Sequence, residues 1–148
     1  MPIKSFRGLI ANEEIQTISL HTNDGSTGYK ITKFQLMPNN PGTAHQESVV
    51  KIFSVPQTGT PDNVINFSDQ TLLAAAYFQD NSDKGFIADL QVVFDNMTFN
   101  QDIFITYKST DGTEAINYYI ELEQIKLDLN DNTMATLKDI KNIEASYL

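Results

Sequence analysis

The sequence predicts an all-β chain: an antiparallel β-sandwich or jelly-roll-like fold with bulged long strands and a short C-terminal helix. Three observations carry this expectation. Turn signals recur every 10 to 20 residues, among them Asn23-Asp24-Gly25, Asn39-Asn40-Pro41-Gly42, Gly59-Thr60-Pro61-Asp62, Asn81-Ser82-Asp83, Asp95-Asn96 and Asp111-Gly112. The runs between them are short and rich in Ile, Val, Phe, Tyr and Thr, the spacing of sandwiches and barrels rather than of alternating helices and strands. No linker or repeat divides the 148 residues, so residues 1–148 read as one domain.

The N-terminal stretch, residues 1–11, mixes polar and apolar residues and carries Lys4 and Arg7, unlike the acidic body that follows. It reads as an assembly arm that adds a strand to a neighbour or tucks into one. Ile3, Phe6, Arg7 and Leu9 are its candidate contact residues. Further on, Tyr29 and Ile31 are odd-numbered whereas Phe34 and Leu36 are even-numbered. One extra residue between the pairs keeps all four inward, as a β-bulge does. Residues 48–55 place Val50 and Ile52 on one face and Val49, Phe53 and Val55 on the other, which suits a central strand or one covered on both sides.

Residues 71–79, TLLAAAYFQ, are open to two readings. Their alanines fit a short helix started by Ser68 or Asp69. Their length, and the turn at Asn81-Ser82, fit a strand paired with the next run, and this is the favoured reading. In that next run Phe86, Ala88, Leu90, Val92 and Phe94 share one face, so it reads as a half-buried antiparallel strand.

The longest alternation spans residues 103–129. A two-residue turn at Asp111-Gly112 is a strong hairpin signal. It sets Tyr107 opposite Ile116, Ile105 opposite Tyr118 and Ile103 opposite Ile120, all apolar and on one face. Past Glu121 the apolar set moves from even to odd positions, to Ile125, Leu127 and Leu129. That slip predicts a second bulge near Glu123-Gln124, or a strand that leaves one sheet for another. In the tail, Met134, Leu137, Ile140 and Ile143 stand three apart, which predicts a short helix capped by Asp131 or Thr133. The apolar end Tyr147-Leu148 joins the candidate assembly residues.

Composition narrows function mostly by exclusion. There is no cysteine, which removes disulfide scaffolds and Cys-based metal sites. The formal net charge is -9, and seven aspartates face the single Lys84 between Pro61 and Asp102. Such a surface repels nucleic acid and anionic membranes, so neither is an expected partner. No apolar run approaches a membrane span, and the N-terminus lacks the apolar core of a signal peptide.

Catalytic motifs are equally sparse. The two histidines, His21 and His45, cannot complete a three-histidine zinc site, and neither G-x-S-x-G nor H-E-x-x-H occurs. Glu121 and Glu123 share a strand face at near-glycosidase spacing, but the chain has no tryptophan to line a sugar cleft, and a solvated face explains them better. Asp128, Asn130, Asn132 and Asp139 occupy calcium-loop positions, yet Thr133 stands where the loop needs glycine. They read as a turn and helix cap, with a weak divalent site as the alternative. No catalytic residue, cofactor or firm metal site is expected, and the chain reads as a non-enzyme.

Three stretches resemble small virion structural proteins of tailed phages of marine bacteria, including cyanophages. They are TISLHTNDGSTGYKITKFQLMPNNPG, INFSDQTLLAAAYFQ and YYIELEQIKLDLNDNTMATLKDIKNI, and the likeness runs from about Thr17 to Ile143. The resemblance implies a capsid decoration or cement protein, stabilising the shell through contacts with the major capsid protein and with copies of itself. It implies a place in the virion after synthesis in the host cytoplasm. The alternative it leaves open is a carbohydrate- or receptor-binding β-sandwich module of a tail or fibre. A shell protein should expose apolar surface at its rim, and a sugar binder should show an aromatic-lined hollow.

Overall fold

The computed structural model describes residues 2–23, 25–42 and 45–128. Eight strands form two antiparallel sheets, neither closed into a barrel. The first has three strands, β1 (Ile3–Ile10), β8 (Ile116–Lys126) and β3 (Thr27–Pro38), with β8 in the centre. The second has five, in the order β2 (Ile15–Ile18), β7 (Ile103–Asp111), β4 (Gln46–Phe53), β5 (Leu72–Asp80) and β6 (Asp89–Phe94).

The period-two pattern dictates what lies between the sheets. Ile31, Phe34, Leu36, Ile116, Tyr118, Ile120 and Leu122 from the narrow sheet meet Val50, Ile52, Ala74, Ala76, Ile103, Ile105 and Tyr107 from the wide one, all buried. Tyr29 and Phe99 close one side of the core with stacked rings 6.4 Å apart, and their backbones form an isolated bridge that ties the β6–β7 connection to β3. Burying these faces at about 25 cal/mol per Å² is the main drive to fold.

The register settles the two phase slips differently. In β3 the pairing with β8 jumps from Ile31↔Leu122 to Lys33↔Glu121, so Thr32 is the extra residue that turns both Tyr29/Ile31 and Phe34/Leu36 inward. The bulge predicted near Glu123-Gln124 is corrected, because β8 runs unbroken through these residues against β1 and β3. The strand simply ends at Lys126, and Leu127 then buries its side chain over Gly28 while its N–H donates to Ser26 O at 2.9 Å.

The hairpin predicted at Asp111-Gly112 is also corrected. β7 and β8 lie in different sheets, and Gly112 (φ +83°) turns the chain from one to the other. The six residues expected on one face do all face the core, but across the sandwich rather than within one sheet. Tyr107 reinforces this corner: its hydroxyl donates to Glu114 O at 2.5 Å and lies 3.0 Å from Ser48 Oγ.

The fold class is corrected in its helix. The described residues contain no α-helix, only one 3-10 turn at Ser82–Lys84. The two sheets cover each other's inner faces without a helical layer. The stretch for which the helix was predicted, residues 131–143, lies outside the described residues.

For residues 71–79 the strand reading is the one observed. β5 is central in its sheet, and Ala74, Ala75 and Ala76 are all buried. Alanine is a poor strand former in isolation, but here the other sheet covers Ala74 and Ala76, and β4 and β6 flank Ala75 on both sides, so context overrides propensity.

Candidate interaction surface

The wide sheet has two strands more than the narrow one, and β6 stands at its edge with most of its side chains exposed. This strand pairs only with β5, and no strand among the described residues pairs with its far side. Leu90, Val92 and Phe94 lie in register with the inward Phe78, Ala76 and Ala74, so they point to the core side as their alternation predicts. Yet only Val92 is half-buried, while Leu90 and Phe94 remain exposed. The half-buried strand expected over residues 86–94 is thus corrected: β6 begins at Asp89 and is largely solvent-facing.

The residues around it add to the exposure. Ile87 is 88% exposed, Phe67 70%, Phe86 63% and Val93 54%. Phe67 reaches this edge because its loop is pinned. The buried Lys51 ammonium donates to Val64 O at 2.7 Å and to Asp62 Oδ1 at 2.8 Å, and Asn66 Oδ1 accepts from Ser68 N at 3.0 Å. Phe67, Leu73, Val93, Phe94 and Met97 then line one shallow hollow of about 320 Å³. Asp89 opens β6 and Asp95, which lines the hollow, follows it, so both ends of the strand carry a carboxylate. An apolar centre with a polar rim, on the open edge of a sheet, is the chemistry of a protein contact.

The assembly residues read from the sequence fall elsewhere. Residues 3–10 form β1, paired along its whole length with β8 in the protein's own sheet. Ile3, Arg7 and Leu9 are exposed on the outer face, and Phe6 packs against the core. β1 is nonetheless an edge strand, open to strand addition on its far side among the described residues. Tyr147 and Leu148 lie outside the described residues, as do Asn130, Asn132 and Asp139. Among the described residues no three His, Cys, Asp or Glu side chains gather as a metal site would need, and no helix is long and apolar enough to cross a membrane.

The titratable candidates each have a local partner. Glu121 Oε1 accepts from the Tyr119 hydroxyl at 2.7 Å, which raises that phenol's pKa, and Glu123 pairs with Lys30 at 3.7 Å. His45 Nε2 lies 2.5 Å from Asp83. His21 Nδ1 lies 2.7 Å from Asp102 Oδ1, which also accepts from the backbone N–H groups of Leu20 and His21. Partial burial alone would push the Asp102 carboxyl up. The His21 ring and the two N–H bonds outweigh it and hold the carboxyl below its ordinary value. These contacts tie the end of β2 to the start of β7 and are structural in kind.

The exposed edge was missed in the sequence because alternation shows which way a side chain points, not whether anything lies above it. The usable signals were two consecutive apolar residues, Phe86-Ile87, directly after Gly85, and the unalternated run Val92-Val93-Phe94. No protein-family model matches this chain, and a search of curated proteins finds no match.

Proposed function

We propose that this chain is a non-enzymatic virion structural protein, a decoration or cement protein that binds neighbouring shell proteins and copies of itself. The observation that carries the assembly part is the exposed β6 edge, with Phe67 and Val93 exposed at its end and Phe86 and Ile87 exposed just before its start. An apolar surface of this kind is costly to leave in water, and burial against a partner recovers that cost. The open edge of β6 adds directional hydrogen bonds, which fix orientation as apolar contact alone does not. A standard specific contact buries roughly 1,600 Å² in total, and repetition over a symmetric shell multiplies its effect. The virion setting follows from the phage-protein resemblance.

Two measurements test the two parts. Peptide mass spectrometry of purified phage particles should detect the chain at a fixed ratio to the capsid protein, and its absence from particles overturns the virion role. Binding of the purified chain to shells lacking it should be lost with Ile87→Lys plus Val93→Lys, and undiminished binding by that variant moves the contact away from β6.

A further inference from the structure

The cations of this acidic chain are unevenly placed. Of its ten Lys and Arg residues, five lie on the three strands of the narrow sheet: Lys4 and Arg7 on β1, Lys30 and Lys33 on β3, and Lys126 on β8. The same strands hold only two of its 19 Asp and Glu residues, Glu121 and Glu123. The narrow sheet is therefore positive, although the chain as a whole stands at -9.

The register shows what the outer face of this sheet presents. Arg7 of β1 stands in line with Tyr119 of β8 and Gln35 of β3, and Leu9 with Asn117 and Met37. These two rows line an open groove of about 660 Å³, with Leu9 and Met37 exposed. Lys33 extends over the Tyr119 ring, its Nζ 5.8 Å from the ring centre. Both carboxylates of the face are engaged, Glu123 by Lys30 and Glu121 by the Tyr119 hydroxyl. Arg7 and Lys33 are exposed, and neither pairs with a carboxylate among the described residues.

Unneutralised cations beside apolar side chains suit a partner that sets apolar residues among carboxylates. The chain carries that pattern itself. At the open edge of β6, Val93 is exposed between Asp89 and Asp95, and Phe67 lines the same hollow as Val93 and Asp95. Two copies meeting through the same surface would set cation against cation or carboxylate against carboxylate, which is repulsive. Contact between the two different surfaces brings unlike charges together. They belong to different sheets, so one molecule offers both at once.

We infer that copies of this chain associate head to tail, the outer face of the narrow sheet in one copy receiving the β6 edge of the next. Arg7 and Lys33 meet Asp89 and Asp95, and Leu9 and Met37 cover Val93 and Phe67. Such a contact builds a ring if its rotation closes and a filament if it does not. The inference rests on the assembly reading of the β6 edge and names the surface that receives it between copies.

Sedimentation velocity of the full chain is the test. Arg7→Glu plus Lys33→Glu alters only the face, and Asp89→Lys plus Asp95→Lys only the edge. All four side chains are exposed, so both variants should keep the wild-type circular-dichroism spectrum. The wild type should associate, and less so as salt rises from about 0.05 M to about 0.5 M, because exposed charges are screened. Each variant alone should be a monomer. Their equimolar mixture should associate again, because the unaltered edge of one variant meets the unaltered face of the other. A wild type that stays monomeric up to ~1 mM, either variant associating like the wild type, or a mixture that stays monomeric overturns the head-to-tail contact. The β6 reading fails separately, on undiminished shell binding by Ile87→Lys plus Val93→Lys.

Discussion

The Lys51 ammonium and the Asp62 carboxylate meet at 2.8 Å from opposite environments, the lysine side chain 7% exposed and the aspartate 67%. Lys51 sits on the outer face of a central strand, and Asp62 on the loop that covers it. The asymmetry makes the pair informative. Asp62→Asn leaves a buried cation with Val64 O as its main partner, and should cost about 1–2 kcal/mol, a value reduced by solvent screening at the exposed carboxylate. Lys51→Met frees an exposed carboxylate into water and should change stability by less than about 1 kcal/mol. Urea unfolding of both variants at pH 7 checks the contrast.

The same pair sets an acid dependence. The hydrogen bond from Lys51 outweighs desolvation and holds the Asp62 carboxyl below its ordinary 3.8. A carboxyl depressed in the folded state contributes stability that is present above the unfolded pKa and is lost as pH falls through the folded one. The unfolding midpoint should therefore drop below about pH 3.8 in the wild type. Asp62→Asn should show a smaller drop over the same range.

Deleting Thr32 should be far worse than any change to its side chain. The residue is exposed, but without it the two halves of β3 cannot both turn their apolar residues inward. Either Tyr29 and Ile31 or Phe34 and Leu36 would face water. The cost should exceed ~4–5 kcal/mol, a large share of a domain's whole stability. Loss of a cooperative transition in a circular-dichroism melt is the expected result, whereas Thr32→Ala should melt close to wild type.

Tyr107→Phe isolates the corner between the sheets. It removes the bond to Glu114 O and the contact with Ser48 Oγ while keeping the ring in the core. Ser48 retains the Gln46 amide at 3.3 Å, so the loss should be about 1–2 kcal/mol rather than a collapse. A urea titration reads it directly.

At the β6 edge, Ile87→Lys and Val93→Lys should behave oppositely in folding and association. Both side chains are exposed, so each change should move stability by no more than about 0.5 kcal/mol. Lysine on an open edge strand is also a natural block to strand addition. Sedimentation velocity should show concentration-dependent self-association for the wild type and a monomer for the double variant.

Side-chain direction was legible in the sequence alone. Ile103, Ile105, Tyr107, Ile116, Tyr118 and Ile120 all face the core, and the phase slip around Thr32 marks a real bulge. A strand's period of two sets direction through local backbone geometry, with no need of a partner. Pairing was not legible, because the Asp111-Gly112 turn serves a hairpin or a step between sheets equally well, and both leave the same six residues inward.

The candidate surface shows the same division. The sequence determined that Leu90, Val92 and Phe94 lie on one side of a strand and that residues 61–102 are acidic. Only the tertiary structure decided that β6 stands at a sheet edge and keeps most of its side chains exposed. It alone carried Phe67 to the same edge and set Arg7 and Lys33 beside Tyr119 on one sheet face. The physical reason is range: alternation and turn chemistry act over a few residues, whereas covering a strand takes contacts between segments far apart in the chain.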